Sequence, residues 1–292
     1  MAARMHVDEI PLDAPRVAAL VAARFPQWAG LPCTRVDGGG TQTVLFRLGE
    51  ELVARLPRTP RSAGLASFDA EWLPFVGERL PVAVPRLVAL AEPVPEFPWD
   101  WGVYRWLHGE HPPLGTAAPG DALAEDVTRL VAALRAVRPP AVAPPGREPL
   151  EHRDEATRRA IRELAGELDA AAATAAWEAA LDAPAEQRWI HGDLLPANLL
   201  VRGGRLTGVL DWSSTGVGDA SCDLLAGWGL LTAAGRRQLR EALGVDAAAW
   251  ARGRGWALSV GLVALPYYRG TNPVMTAVAE HLVREAVADT AA

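Results

Sequence analysis

An α+β chain in two lobes is what the sequence predicts: a small antiparallel sheet first, then a larger helical part. Three observations carry that expectation. The first hundred or so residues run in short alternating stretches punctuated by Gly and Pro, the pattern of strands and turns. After Gly109 the apolar residues recur at helical spacing instead. Half of the 292 residues are apolar, enough for one large domain or two lobes with their own cores. The boundary is placed at residues 1–104 for the first lobe and 105–292 for the second, with a ligand cleft expected between them.

The elements follow in order. Val17, Leu20, Val21 and Trp28 give residues 6–29 helical spacing. The stretch TRVDGGGTQTVLFRLGEELVARLPR then alternates around a glycine cluster and a Gly-Glu turn, which predicts strands at about 33–37, 43–48 and 51–56. Phe68, Trp72, Phe75 and Val76 predict a helix over 68–80. PRLVAL at 85–90 and WGVYRWL at 101–107 read as two more strands, joined by the Pro-rich EPVPEFPWD. In the second lobe, Asp121 opens a helix over 121–137 whose Leu123, Val127, Leu130, Leu134 and Val137 share one face. An Ala-rich helix is expected from about 152 to 182. Strands at 198–202 and 206–210 joined by Arg-Gly-Gly-Arg make a hairpin, and 221–289 reads as helical.

Composition excludes several classes of function. A net charge of −6 argues against nucleic acid as a partner. No stretch approaches the roughly eighteen apolar residues a membrane span requires, and the N-terminus has no apolar signal core. Cys33 and Cys222 stand in no metal or redox spacing, which suits a reducing cytoplasm. Lysine is absent, so all 29 basic residues are arginine. His191 has no second His or Cys at zinc spacing, and no G-x-S-x-G supports a serine hydrolase. Nothing in the sequence speaks to oligomeric state.

The chemistry is concentrated in WIHGDLLPANLLV, residues 189–201. His191-Gly192-Asp193 is followed five residues after the Asp by Asn198, just before the hairpin, whose second strand ends in Leu210-Asp211-Trp212. Facing strands lie about 5 Å apart, so Asn198 entering one strand and Asp211 leaving the other can share one divalent cation. Mg²⁺ prefers such a site, with one or two protein oxygens and the rest from water and phosphate. Asp193 on the turn can then accept a hydroxyl proton as a phosphoryl group departs. Upstream, Asp37-Gly38-Gly39-Gly40-Thr41 lies between two strands. Its glycines either make a plain hairpin turn or let backbone N–H groups approach phosphate.

This combination resembles the aminoglycoside and macrolide phosphotransferase family, small-molecule relatives of the protein kinases, along most of the chain. The resemblance implies a bilobal protein-kinase-like fold, with Asp193 as catalytic base, His191 supporting its loop and Asn198 and Asp211 holding Mg²⁺. Asp219 and Asp223 of GVGDASCDLL would brace the loop. Gly38, Gly39, Gly40 and Thr41 would approach the phosphates of ATP or GTP. Arg55 stands where kinases carry a lysine, and Glu71 on the next helix is its expected partner. A shifted register would put Arg58 there instead. Arg for Lys is not a conservative change, although the macrolide branch is similar in having it. Arg105, Trp106 and Leu107 would form the hinge whose backbone meets the purine.

The implied activity is Mg²⁺-dependent transfer of the γ-phosphoryl of ATP or GTP to a hydroxyl of a small molecule, an antibiotic of macrolide-like or aminoglycoside-like kind. A metabolic kinase of a sugar or amino-alcohol is the alternative, and a non-catalytic nucleotide-binding protein a third reading. After Asp223 the acids are few (Glu241, Asp246, Glu280, Glu285, Asp289), which favours a less charged acceptor than a polycationic aminoglycoside. Trp250, Trp256, Tyr267 and Tyr268 lie where the family builds its acceptor pocket, but an aromatic stripe there reads first as core.

Overall fold

The computed structural model describes residues 9–36 and 42–289. The chain divides into two compact units, one of residues up to 78 together with 83–108, the other of 79–82 and everything from 109 on.

The first unit opens with helix α1 (Ala14–Arg24). Asp13 caps it by accepting from the Arg16 N–H, and a proline in the first turn removes a donor that would have had no partner. A five-stranded sheet follows, built from β1 (Cys33–Arg35), β2 (Thr43–Leu48), β3 (Leu52–Pro57), β4 (Leu87–Ala91) and β5 (Trp101–Arg105). The spatial order is β1-β2-β3-β5-β4, and every pair is antiparallel. Val44, Phe46 and Leu48 alternate inward along β2 and pack with Val17, Leu20, Leu56, Phe97 and Trp101 into one core. Helix α2 (Leu65–Gly77) connects β3 to β4. It begins three residues before the position that the apolar spacing indicates, because its cap comes from afar. Asp100 accepts from the Gly64 and Ser67 backbone N–H groups and from the Ser67 hydroxyl.

The second unit is mostly helical: α3 (Ala122–Ala136), α4 (Asp154–Glu163), α5 (Ala170–Asp182), α6 (Ala226–Leu230), α7 (Ala233–Leu243), α8 (Ala247–Tyr268) and α9 (Pro273–Ala288). Helix α8 is buried nearly all round and packs against α5 and α9, with its buried Arg252 and Ser259 side chains hydrogen-bonded. Gly255 lets it press on α5, where an added Cβ would come 2.2 Å from that of Ala180. Trp177, Trp189, Trp212, Trp228 and Trp256 are all fully buried.

The helix expected over 152–182 is two helices. It breaks between Glu163 and Ala170, where Asp169 restarts it by accepting from the Ala172 N–H. Strands β7 (Leu199–Arg202) and β8 (Arg205–Val209) form the expected hairpin. Strands β6 (Gln187–Ile190) and β9 (Gly216–Asp219) pair as a second ribbon that the sequence outline lacks. Among the described residues, no helix is long and apolar enough to cross a membrane.

Candidate active site

The segment from His191 to Asn198 connects the two ribbons, so its ends are set by strand pairing on both sides. Asp223 fixes the first bend, accepting from the backbone N–H of His191 at 2.9 Å and of Gly192 at 2.8 Å. Full burial pushes the Asp223 carboxyl above its usual range, against the pull of His191 and of those two hydrogen bonds. Gly192 has φ 84°, and a Cβ there would stand 2.7 Å from the Ser214 carbonyl oxygen. The buried His191 ring is held at both nitrogens. The Asp193 N–H donates to Nδ1 at 3.1 Å, so Nε2 carries the proton and donates to the Leu210 carbonyl at 2.9 Å. The buried Trp212 ring packs edge-on against it, 4.5 Å between centroids.

Asp193 is thereby presented on a rigid turn, half-buried, with both carboxylate oxygens engaged. Asn198 Nδ2 donates to Oδ2 at 2.8 Å and also to the Asp193 carbonyl at 2.9 Å. Arg147 Nη1 donates to Oδ1 at 3.0 Å and to the Gly192 carbonyl at 2.6 Å. Burial works against the Arg147 charge, but the Asp193 carboxylate outweighs it and holds the guanidinium pKa above its ordinary value. No periodicity or motif singles out Arg147. It lies on an irregular loop that reaches the turn because Gly146 and Pro144 hydrogen-bond to Val217 of β9.

Asn198 and Asp211 come to the same end of the β7–β8 hairpin, where the Leu210 N–H donates to the Asn198 carbonyl at 2.7 Å. Because Asn198 Nδ2 faces Asp193, its Oδ1 remains the acceptor end. Asp211 has φ 53°, the one positive φ among described non-glycine residues, a conformation that Asp tolerates better than most. An amide oxygen and a carboxylate are hard donors of the kind Mg²⁺ takes. Among the described residues, no cluster of three or more His, Cys, Asp or Glu forms a larger metal cage. Asp219, expected to brace the loop, points the other way. It accepts from Arg252 Nε at 2.6 Å and Trp256 Nε1 at 2.7 Å on α8.

In the first unit, Arg55 on β3 meets Asp69, not Glu71. Nη1 lies 2.9 Å from Asp69 Oδ2, and Nε donates to Thr43 Oγ1 at 3.2 Å. Residues two apart on a helix point to different sides, so when Asp69 faces the sheet Glu71 is exposed to solvent. Tyr104 donates its hydroxyl to the same Asp69 oxygen at 2.8 Å, and burial together with the carboxylate pushes that hydroxyl's pKa up. Arg58 pairs with Glu9 at 2.5 Å. The Arg105 and Trp106 N–H groups donate to the Arg86 and Glu51 carbonyls, and the Trp106 ring lies 4.0 Å from the Arg47 guanidinium. Of the three expected hinge residues, Leu107 is the one whose amide is not used in this way. Gly38, Gly39, Gly40 and Thr41 lie outside the described residues. Trp250 and Trp256 are buried, and Tyr267 is exposed.

In fold, the chain resembles the GDP complex of wild-type aminoglycoside 2'-phosphotransferase-IIIa, with TM-score 0.70 and 18% identity over 95% of this chain and 99% of that one. It also resembles macrolide 2'-phosphotransferase MphH from Brachybacterium faecium, with TM-score 0.61 and 24% identity over 94% of this chain and 98% of that one. No curated protein matches it in sequence. The expected α+β, protein-kinase-like fold is therefore the one present: a five-stranded antiparallel sheet followed by a larger helical region. Residues 32–256 match the model of the phosphotransferase enzyme family, APH, and the chain is an enzyme of that family.

Proposed function

We propose that the protein transfers the γ-phosphoryl group of ATP or GTP to a hydroxyl of a small organic acceptor, with Mg²⁺. The observation that carries this reading is the Asp193 carboxylate, fixed on its turn by Asn198 and Arg147 beside the hairpin end that bears Asp211. Asp193 accepts the acceptor's hydroxyl proton as that oxygen bonds to the γ-phosphorus and the bond to the nucleoside diphosphate oxygen breaks. Asn198 Oδ1 and Asp211 would hold Mg²⁺, which when bound neutralises charge on the phosphates. Arg55, aimed by Asp69 and Thr43, would meet the α/β-phosphates, with the segment from Gly38 to Thr41 supplying N–H groups. The amide of Leu107 would donate to the purine. Residues 1–104, with Leu107 just beyond them, would thus bind the nucleotide base and phosphates, and the remainder of 105–292 would carry the catalytic base, the Mg²⁺ ligands and the acceptor site.

An antibiotic is the first acceptor class to assay, because the fold neighbours are named as aminoglycoside and macrolide phosphotransferases. A metabolic kinase of a sugar or alcohol is the second, favoured by the guanidinium of Arg147 standing where a polycation would have to approach. The two cysteines are unpaired, in keeping with work in the cytoplasm.

Coupled turnover with ATP and GTP against aminoglycosides, macrolides, amino-sugars and alcohols tests the reading. Asp193→Asn should lower acceptor-dependent turnover by roughly 10²- to 10⁴-fold with nucleotide affinity near wild type. Turnover that survives the substitution removes Asp193 as the base.

A further inference from the structure

Helix α8 carries Arg252, Trp256 and Ser259 at spacings of four and three, which puts them on one face. Three guanidiniums lie along that face. Arg252 is neutralised twice, by Asp219 at 2.6 Å and Glu151 at 2.8 Å. Arg147, whose guanidinium carbon lies 5.4 Å from the Trp256 ring centre, is neutralised by Asp193. Among the described residues, the Arg153 guanidinium hydrogen-bonds only to Ser259, through Nε to Oγ at 2.8 Å and Nη2 to the carbonyl at 3.3 Å. The Ser259 hydroxyl is shared with Thr157 at 2.7 Å. Among the described residues no carboxylate lies within ion-pair distance of Arg153. Burial first, then the like charge of Arg147, push its pKa down to about 10, so it is still a cation at neutral pH. A partly buried cation without a counterion is costly, and a guanidinium with one edge fixed offers the rest of its fork to an oxyanion.

We propose that Arg153, with Arg147 beside it, forms an anion-accepting subsite next to Asp193, and that the acceptor presents a carboxylate or phosphate-type group to it. The inference rests on the reading of Asp193 as the base. It turns the acceptor class away from the polycationic antibiotics and toward hydroxyl compounds that carry an acid.

The test uses the full chain with saturating nucleotide, so that the donor's own phosphate site is filled. Thermal melts are compared in sodium sulfate and in sodium chloride at equal ionic strength. Sulfate should raise the wild-type melting temperature relative to chloride, Arg153→Lys should keep part of the rise, and Arg153→Gln should lose it. A sulfate response in Arg153→Gln equal to wild type overturns the subsite. In turnover, Arg153→Gln should raise KM for acidic acceptors at least tenfold with kcat within about twofold. A matching loss of nucleotide affinity overturns the assignment, because the anion met by Arg153 is then the donor's. Asp193→Asn should keep the sulfate response while turnover is lost. A sulfate response without turnover of any acceptor would sink the phosphotransferase reading and leave the subsite standing.

Discussion

Asp193 is held by two donors of different kinds, a neutral carboxamide and a charged guanidinium, and they have different origins in the chain. Asn198 is five residues away, and its amide reaches back across a turn closed by the Leu195 N–H to Asp193 carbonyl bond of 2.7 Å. Arg147 is 46 residues upstream and arrives only because its loop lies along β9. The Arg55 site has the same character. Asp69 is both the partner of Arg55 and the acceptor for Tyr104, two contacts that meet at one oxygen. Asp69→Ala should therefore lower nucleotide affinity about tenfold by releasing Arg55. It should also destabilise the fold by about 1–3 kcal/mol by leaving the Tyr104 hydroxyl without its acceptor. Glu71→Gln should change neither quantity. Nucleotide titration by tryptophan fluorescence and a thermal melt read both effects, and equal behaviour of the two variants would refute the Asp69 assignment.

Among the elements, the loop between the ribbons and the joint between α3 and β8 are the ones the site depends on. Gly192→Ala forces a Cβ toward the Ser214 carbonyl at a left-handed position, strain of about 1–3 kcal/mol. The loop should yield by moving Asp193, so kcat should fall far more than nucleotide affinity in steady-state assays. At the joint, Asp126 of α3 accepts from Arg205 Nε at 2.7 Å and from the Leu206 N–H at 3.0 Å, and Arg129 also binds it. Burial pushes the Asp126 carboxyl up, but the hydrogen bonds from Arg205, Leu206 and Arg129 and the Arg205 charge outweigh it and leave the pKa lowered. A depressed carboxyl contributes stability that is present above its unfolded value and lost as pH falls through the folded one. Asp126→Asn should thus melt below wild type at pH 7, with the gap closing below about pH 4. A gap that does not narrow at all as pH falls from about 4 to the acid limit of folding would mean that charge is not its source.

At the scale of the molecule, the second unit is organised around α8, and the buried Arg252 is its polar anchor. Besides Asp219 and Glu151 it donates to the Ala183 carbonyl at 3.0 Å, joining α8 to the end of α5 and to β9. Arg252→Ala leaves the Asp219 carboxylate buried with one partner fewer, a loss of about 3–5 kcal/mol. Its melting temperature in a circular-dichroism scan should fall by roughly 10 °C. An unchanged melt would show that the anchor is dispensable.

What the sequence determined by itself is what depends on near neighbours. The 2.0 and 3.6 periodicities place the sheet and the long helices. His191, Asp193, Asn198 and Asp211 are brought together by one turn and one hairpin, so their proximity is legible in their spacing, while the role of His191 was implied only by the family resemblance. Tertiary structure decided the rest, because those residues act across long separations that no local pattern records. Asp100 caps α2 from the far side of β4, which moved the helix start. β6 and β9 pair across 26 residues, so neither short run identifies the other. The choice of Asp69 over Glu71 depended on which face α2 turned to the sheet. Arg147 and Arg153 became part of the site only when their segment packed along α8, where burial and one fixed carboxylate gave each guanidinium a distinct electrostatic role.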